Sequence, residues 1–584
     1  MMRFQLCLAA LCVAAIQTIA PAQVLDLTGT WTYREDPEEI GEEQGWQKPG
    51  ADTADWGEAE VPGDIGDYDG VVWYRKTVDV PGDVASDPEA RLFFGQVDDI
   101  TELYLNGEKV YRHPFWNTPF FVEIGDHVPR EGGELSIVAK VTDVGGPGGI
   151  LGPVRIGPLE DWKSLLTTPA YELSPRSTLA EVGNLVMYSV YVRNFSEEGT
   201  FEGLRERLPE LKGLGVNCLW LLPIHPIGEV ERKGPDGSPY AIADYLDVNP
   251  DLGTKADFKA MVEDAHEHGM RVIIDCVFNH TAHDSVLTRE HPEWFLQDEE
   301  GNPRPDVAAW QDVVDFAYGD PEVEAELYPY LWNVLDYWVR EFDIDGYRCD
   351  VADLVPAEFW AEARQRLEAI KPGGIIMLAE SQSSHHHLNG FDITYNEGLH
   401  ELARMVMEGE AEPLSLKIDV LRRQYSMPKG APELLFSENH DKQRAVNFYG
   451  GPEKAKLAGA LVATLPGVPL LYTGTEVGAD AERNETFFTV SPVDFSSDPH
   501  GMRAFWTSLL AMRAASPALQ TGAFIPVEAS PEGAIFAFER RTRHDRALVI
   551  ANLSGETVTA ELDHDLSPTK DVTLGAYRWT IFRN

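Results

Sequence analysis

Cysteine and positive charge are what this chain has least of. Only five of its 584 residues are cysteine, and two of these, Cys7 and Cys12, fall within the first 22 positions. The other three, Cys218, Cys276 and Cys349, each sit in a strand-like apolar run. An odd set of such thiols excludes a disulfide framework and reads as buried core. Lys and Arg total 48 against 96 Asp and Glu, for a formal net charge of −48 and a pI near 4.6. That balance repels phosphate backbones and anionic lipid, and so argues against nucleic-acid and membrane-surface partners. Beyond the N-terminus no apolar run is long enough to span a bilayer. What remains, at 43% hydrophobic and 10% aromatic, is an ordinary globular composition, too long for a single core.

The first residues, Met1-Met2-Arg3, lead into FQLCLAALCVAAIQTIA and a small-residue Ala20-Pro21-Ala22 site. This pattern predicts a cleaved signal peptide over 1–22 and a secreted or periplasmic protein that leaves the membrane after cleavage. Gln17 and Thr18 argue against an uncleaved anchor, and Leu11 before Cys12 against a lipoprotein.

Residues 23–160 alternate apolar and polar in short runs broken by Gly, Pro, Asp and Asn, which predicts a β-sandwich, with Asn106-Gly107 as a two-residue hairpin turn. Carbohydrate-binding faces need exposed rings. Trp73, Tyr74, Phe93 and Phe94 lie in strand-like runs and read as core, leaving Trp46, Trp56 and Trp116 as free candidates. A polar linker over 161–182 follows, and then the period changes. Over 183–520 strand-like runs (VMYSV, NCLWLL, RVIIDCV, GYRCD, IIMLA, DITY, ELLF, VPLLY) alternate with amphipathic helical ones, eight units in all with the fifth irregular. The expected fold is therefore α/β, a (β/α)8 TIM barrel flanked by an N-terminal and a C-terminal β-sandwich, the latter over 521–584. Residues 281–320 are too long for a plain βα loop and predict a small excursion beside the active face.

Barrels gather functional side chains at the C-terminal ends of their strands, and polar residues cluster there. The third strand ends Asp275-Cys-Val-Phe-Asn279-His280, the fourth carries Arg348 and Asp350, the fifth ends in Glu380, and the seventh leads to Glu438-Asn439-His440-Asp441. Three carboxylates on strands four, five and seven would converge on one pocket. Side chains alternate along a strand, so Arg348 shares the face of Asp350 while Cys349 points outward.

The segments DCVFNH, GYRCD, the Glu closing IIMLAE, and ENHD resemble the four sequence regions of the α-amylase superfamily, glycoside hydrolase family 13, in their usual order. SPYAIADYLDVNPDLGT and VPLLYTGTEVG resemble two further signatures of that family. The WYRK, DD-x-x-E-x-YLNG and GGPGGILGP stretches resemble the galactose-binding-like jelly roll of family 2 glycoside hydrolases, which implies either a sugar grip or a structural prop, the latter preferred.

The first resemblance implies a retaining hydrolase of α-glucosidic, mainly α-1,4, bonds in starch-derived glucans or maltooligosaccharides. It makes Asp350 the nucleophile, Glu380 the general acid and base, and Asp441 the transition-state stabiliser. Two carboxyls about 5–5.5 Å apart would serve double displacement. Arg348 is expected to lower the Asp350 pKa, and the apolar run before Glu380 to favour its neutral form. His280 and His440 would bond sugar hydroxyls, and Tyr240 would stack on the ring.

Many family members set Asn279 and a His four residues past the nucleophile around a structural calcium. Here that position is Leu354, which leaves Asn279 and Asp315 as oxygen donors, so calcium is possible and no metal ligand is assigned. Leu354 also replaces the Glu of cyclomaltodextrinase and neopullulanase-like members. Alternatives are an enzyme of that type, a transglycosylase on the same site, or a non-catalytic carbohydrate-binding relative. His385-His386-His387 has no evident spacing partner and reads as a solvated loop.

Overall fold

The computed structural model describes residues 24–158 and 182–584, apart from 64–67, 69, 88–89, 98–99, 114–119, 126, 144–147, 308–309, 429 and 483–486. The leader at 1–22, all but the last residue of the linker at 161–182, and Trp116 lie outside the described residues. The chain divides into two compact units, Met1–Leu166 and Thr167–Asn584. Among the described residues no helix is long and apolar enough to cross a membrane.

The first unit is built of two antiparallel sheets, one of six strands and one of four. Trp31, Tyr74, Phe94 and Ile137 are buried in the core of this unit. The long strand Gly70–Pro81 pairs along its whole length with Gly132–Asp143, which fixes the register of the larger sheet. Asn106 and Gly107 both take positive φ, 49° and 86°, and turn Ile100–Leu105 into Glu108–His113. Only residues that tolerate the left-handed region make this turn match the twist of the strands. Trp46 and Trp56, expected as free rings, are instead buried and pack edge-on to each other, with Trp46 also edge-on to Trp73. Loop-borne rings gain more from covering the sheet than from water.

The second unit carries a closed barrel whose strands pair in chain order: β1 Met187–Val190, β2 Cys218–Leu221, β3 Arg271–Cys276, β4 Gly346–Cys349, β5 Ile376–Ala379, β6 Ile393–Tyr395, β7 Glu433–Phe436 and β8 Val468–Tyr472. Strand alternation separates two apolar layers. Met187, Trp220, Ile273, Leu378, Tyr395 and Phe436 pack inside the barrel. Tyr188, Leu219, Val272, Cys276, Cys349 and Ala379 face the helices, where Cys349 was expected. At the start of β4, Gly346 has φ 136° and lies so near β5 that a Cβ would sit 1.9 Å from the Ile376 carbonyl oxygen. The strands bearing Arg348 and the approach to Glu380 are thereby held at closest contact.

Between β3 and the helix Pro321–Phe342, the excursion forms a short antiparallel pair, His280–Ala282 with Val313–Asp315, and a helix Val286–Glu290. After the helix Pro517–Thr521 come a four-stranded antiparallel sheet and a two-stranded one, which share a core of Ile535, Leu548, Ile550 and Leu574. Two buried guanidiniums join this region to the barrel. Arg513 donates to the carbonyls of Gly183 (3.1 Å), Ala463 (3.0 Å), Gly467 (2.7 Å) and Leu519 (2.7 Å). Arg540 donates to Gly522 and Thr464. Burial pushes their pKa values down to about 10 and about 9.

Replacing Arg513 with Met leaves those buried carbonyls unpaired, each at a cost of about 1–3 kcal/mol where no water replaces the donor. The expected loss is about 3–5 kcal/mol in urea unfolding of the full chain. A loss below about 1 kcal/mol would show that the carbonyls find other donors.

Candidate active site

One side chain organises the mouth of the barrel. Arg348 on β4 is fully buried. Its Nη1 donates to Asp275 Oδ1 (2.8 Å) and Asp350 Oδ1 (2.6 Å), and its Nη2 lies 2.6 Å from Glu380 Oε1. Nε donates to the Tyr395 hydroxyl at 3.2 Å. The register pairs Asp275 directly with Arg348, so strand geometry alone brings those two together on the inner face. Burial by itself would lower the Arg348 pKa, but the charges of Asp275 and Glu380 hold it well above its ordinary value.

Asp275 also accepts from Trp220 Nε1 (3.1 Å) and the Tyr240 hydroxyl (3.0 Å), through Oδ2. Tyr240 reaches on to His440 Nε2 at 2.8 Å, and the two rings stack at 15°. His440 Nε2 lies 3.0 Å from Asp441 Oδ2. The loop that presents Asp441 is pinned by Asn439 Oδ1, which accepts from the backbone of Asp441 (2.9 Å) and Lys442 (3.1 Å). Buried Glu438 adds bonds to the Ala445 backbone and the Thr475 hydroxyl. Tyr240, Arg348, Asp350, Glu380, His440 and Asp441 are thus one connected cluster. His280 stands apart at the end of β3, its ring 5.4 Å from Trp310, with burial pushing its pKa down to about 4 and keeping the imidazole neutral.

The two central acids depart from ordinary carboxyls in the same direction. Burial pushes Glu380 up to about 7 against the pull of Arg348, with the charges of Asp350 and Asp441 adding to the rise. Asp350 was expected to be held low by Arg348. The guanidinium does pull it down, but burial together with the charges of Asp275 and Asp441 outweighs that pull and leaves it at about 6. One cation cannot neutralise three buried anions.

Backbone joins the pair as well. Val351, the residue after Asp350, sits at φ 36°, a conformation costly for a β-branched residue, and its N–H donates to Glu380 Oε2 at 2.7 Å. Trp220 and Tyr395 belong to the site and were not singled out from sequence, and Asp275, named there at the end of the third strand, was given no role. Asp275 closes an apolar run with the same inward parity as Arg348, but the register that joins them is a property of the closed barrel.

Asn279 donates to Asp315 Oδ1, and Asp315 Oδ2 accepts the Asp306 backbone N–H at 2.9 Å. Asp315 is engaged through both carboxylate oxygens, and calcium requires about six to eight oxygens, so these two residues do not by themselves form a fitting calcium cage. The His385–His387 segment is no solvated loop. It is a 3-10 turn, Ser384–Leu388, in which His386 and His387 are buried, and Asp353 supplies the partner invisible in the spacing.

A family profile described as alpha amylase, catalytic domain, matches residues 188–508. Among curated proteins, the chain is 30% identical over 418 residues to the alpha-amylase MalA of Haloarcula japonica, covering 67% of this chain and 58% of that protein. It is 29% identical over 391 residues to a cyclomaltodextrinase of Geobacillus thermopakistaniensis, covering 63% of this chain and 64% of the relative. The chain therefore spans less than two thirds of the length of either protein. Among solved structures, an alpha-amylase from Lactobacillus plantarum superposes with a TM-score of 0.63 at 32% identity, covering 69% of this chain and 99% of that one. A noncanonic maltogenic alpha-amylase, AmyB, from Thermotoga neapolitana gives 0.63 at 31%, with the same coverage.

The raised Glu380 pKa carries a stability consequence. In the unfolded chain the group ionises near its ordinary value of 4.5, and in the folded chain at about 7. Its favourable contribution is fully present below the first value and is lost as pH rises through the second. Glu380→Gln removes that loss. The variant is expected to match the parent near pH 4 and to exceed it by about 1–3 kcal/mol at pH 8, read by urea unfolding at each pH. A pH-independent difference would contradict the raised pKa.

Proposed function

The chain belongs to the alpha-amylase family, and from that premise we propose that it hydrolyses α-1,4-glucosidic bonds of soluble starch-derived glucans or maltooligosaccharides with retention of configuration. The observation that carries the reading is the pair Asp350 and Glu380 bridged by Arg348, with values of about 6 and about 7. Burial raises both above ordinary carboxyls and the charge of Asp350 raises Glu380 further, which favours a state with Asp350 ionised and Glu380 still holding its proton, the requirement for a nucleophile and a general acid on one bond.

In this mechanism the ionised Asp350 attacks the anomeric carbon while Glu380 gives its proton to the leaving glycosidic oxygen, which departs as an alcohol. The resulting glycosyl ester on Asp350 is then attacked by water, whose proton returns to Glu380, and Asp350 leaves as a carboxylate. Asp441 faces the positive charge that develops on the sugar ring. His440 and His280 donate to sugar hydroxyls, and Tyr240 lies against the ring. Glu380 accepts from the Val351 N–H at Oε2, and its Oε1 lies 2.6 Å from Arg348 Nη2. The two acids titrate as a pair. With the leader read at 1–22, the site of action is outside the cytoplasm.

A second reading, transglycosylation, draws on Leu354. This leucine is 48% exposed in the turn after β4, four residues past Asp350. An apolar side chain there favours the carbon-bearing face of a sugar acceptor over water.

Asp350→Asn should reduce turnover at least about 1,000-fold with the fold intact, because an amide cannot form the ester. Glu380→Gln should cost far more on maltotriose than on an activated aryl maltoside, whose leaving group needs no proton. Equal losses on both would contradict the acid role. Product NMR should show the α-anomer first, and chain-length redistribution exceeding glucose-unit release would favour transglycosylation. Activity should survive EDTA, and inactivation reversed only by calcium would refute the reading of Asn279 and Asp315.

A further inference from the structure

The histidine run after β5 takes no part in the chemistry above, and its three members face different surroundings. His387 is buried with Nε2 3.1 Å from the Thr394 hydroxyl. His385 is exposed, and His386 is buried beside it, their ring centroids 4.1 Å apart. His386 Nε2 lies 2.7 Å from Asp353 Oδ1, which comes from the 3-10 turn Ala352–Leu354 after β4. One ligand atom each from Asp353, His385 and His386 all fall within 4.8 Å of one another.

Two imidazoles and one carboxylate form a nitrogen-rich set of borderline softness. It suits zinc and its first-row neighbours and lacks the oxygens that calcium or magnesium require. Three protein ligands leave a coordination position for water. A second observation points the same way. Nδ1 of His386 is buried and has no hydrogen-bond partner among the described residues. Moving the ring proton to Nδ1, which frees Nε2 for a metal ion, therefore breaks no bond on that side. The missing outer acceptor also limits affinity, since such partners typically strengthen a site about 10–100-fold. The other cluster of this kind among the described residues, His291, Glu293 and Glu326, offers one imidazole and two exposed carboxylates, a poorer match to zinc and a natural control.

We propose that Asp353, His385 and His386 form a zinc-class metal site that ties the turn after β4 to the turn after β5. These turns follow Asp350 and Glu380, so an ion here clamps the two segments that carry the reacting acids. The inference does not depend on which glycosidic bond is cut, or on whether one is.

The test uses the untagged full-length chain, stripped with EDTA and dialysed, and titrated with zinc chloride by calorimetry at pH 7.5. Cobalt chloride serves as a parallel spectroscopic probe. One zinc ion per chain is expected to bind in the micromolar range, to raise the melting temperature, and to be displaced by cobalt with visible d–d absorption. Affinity should fall at least tenfold in His385→Ala and in Asp353→Asn, whose side chains are exposed and whose apo melting temperatures serve as the folding check. It should be unchanged in His291→Ala. If one of the first two variants fails to fold, the other decides. The proposal is overturned by absence of zinc binding at millimolar concentration, by affinity retained in the folded variants, by loss in His291→Ala, or by calcium binding the same site as tightly as zinc.

Discussion

A single buried guanidinium holds three carboxylates from three neighbouring strands, and the rest of the barrel mouth is arranged around that imbalance. Arg348 cannot satisfy Asp275, Asp350 and Glu380 as full anions at once, and among the described residues no second cation joins it at hydrogen-bond distance. Neutral donors make up the difference: Trp220 and Tyr240 on Asp275, and the Val351 N–H on Glu380. The remaining deficit, together with burial, appears as raised proton affinity at all three carboxyls, two of which face the cleft. Poor electrostatics for folding and a useful acid–base pair are one fact here, the familiar opposition of stability and activity in a local form.

That arrangement needs strands four and five at closest approach, which the absent side chain of Gly346 allows. It also needs inward parity at Asp275 and Arg348, which the closed register supplies. The surrounding scaffold keeps the apolar interior of the barrel and the barrel–helix layer distinct, so the polar hub is confined to one end.

Much of this was legible in the sequence because period and position carry it. The eight strands stand out as apolar runs between amphipathic helices, and their polar ends name most of the cluster. What stayed hidden depends on tertiary burial. Trp46 and Trp56 look like free loop rings until the sheet they cover is in place. His386 and His387 look solvated because nothing in their spacing reveals Asp353 beside the first or Thr394 beside the second. The helix Pro413–Ser426 escaped the periodic reading because its inward face carries Asp419 and Arg423, which are buried as a pair with Glu433. Paired charges disguise a core-facing stripe as a polar one. The direction of the Asp350 shift was misjudged for a related reason: sequence shows the nearest cation but not how many anions share it.

The peptide between Asp350 and Val351 gives one more perspective. Through it, the residue that follows the nucleophile grips the acid by its main chain, in a backbone conformation that Val351 adopts at a cost. The coupling of the two acids is therefore written partly in a group that every amino acid except proline possesses. A mutational scan that exchanges side chains at position 351 would register only strain and packing, and would report the position as tolerant or intolerant without revealing why. That main-chain bond favours the ionised acid and so works against the burial that raises it, and a chain with another side chain at this position keeps the bond as long as the bend survives.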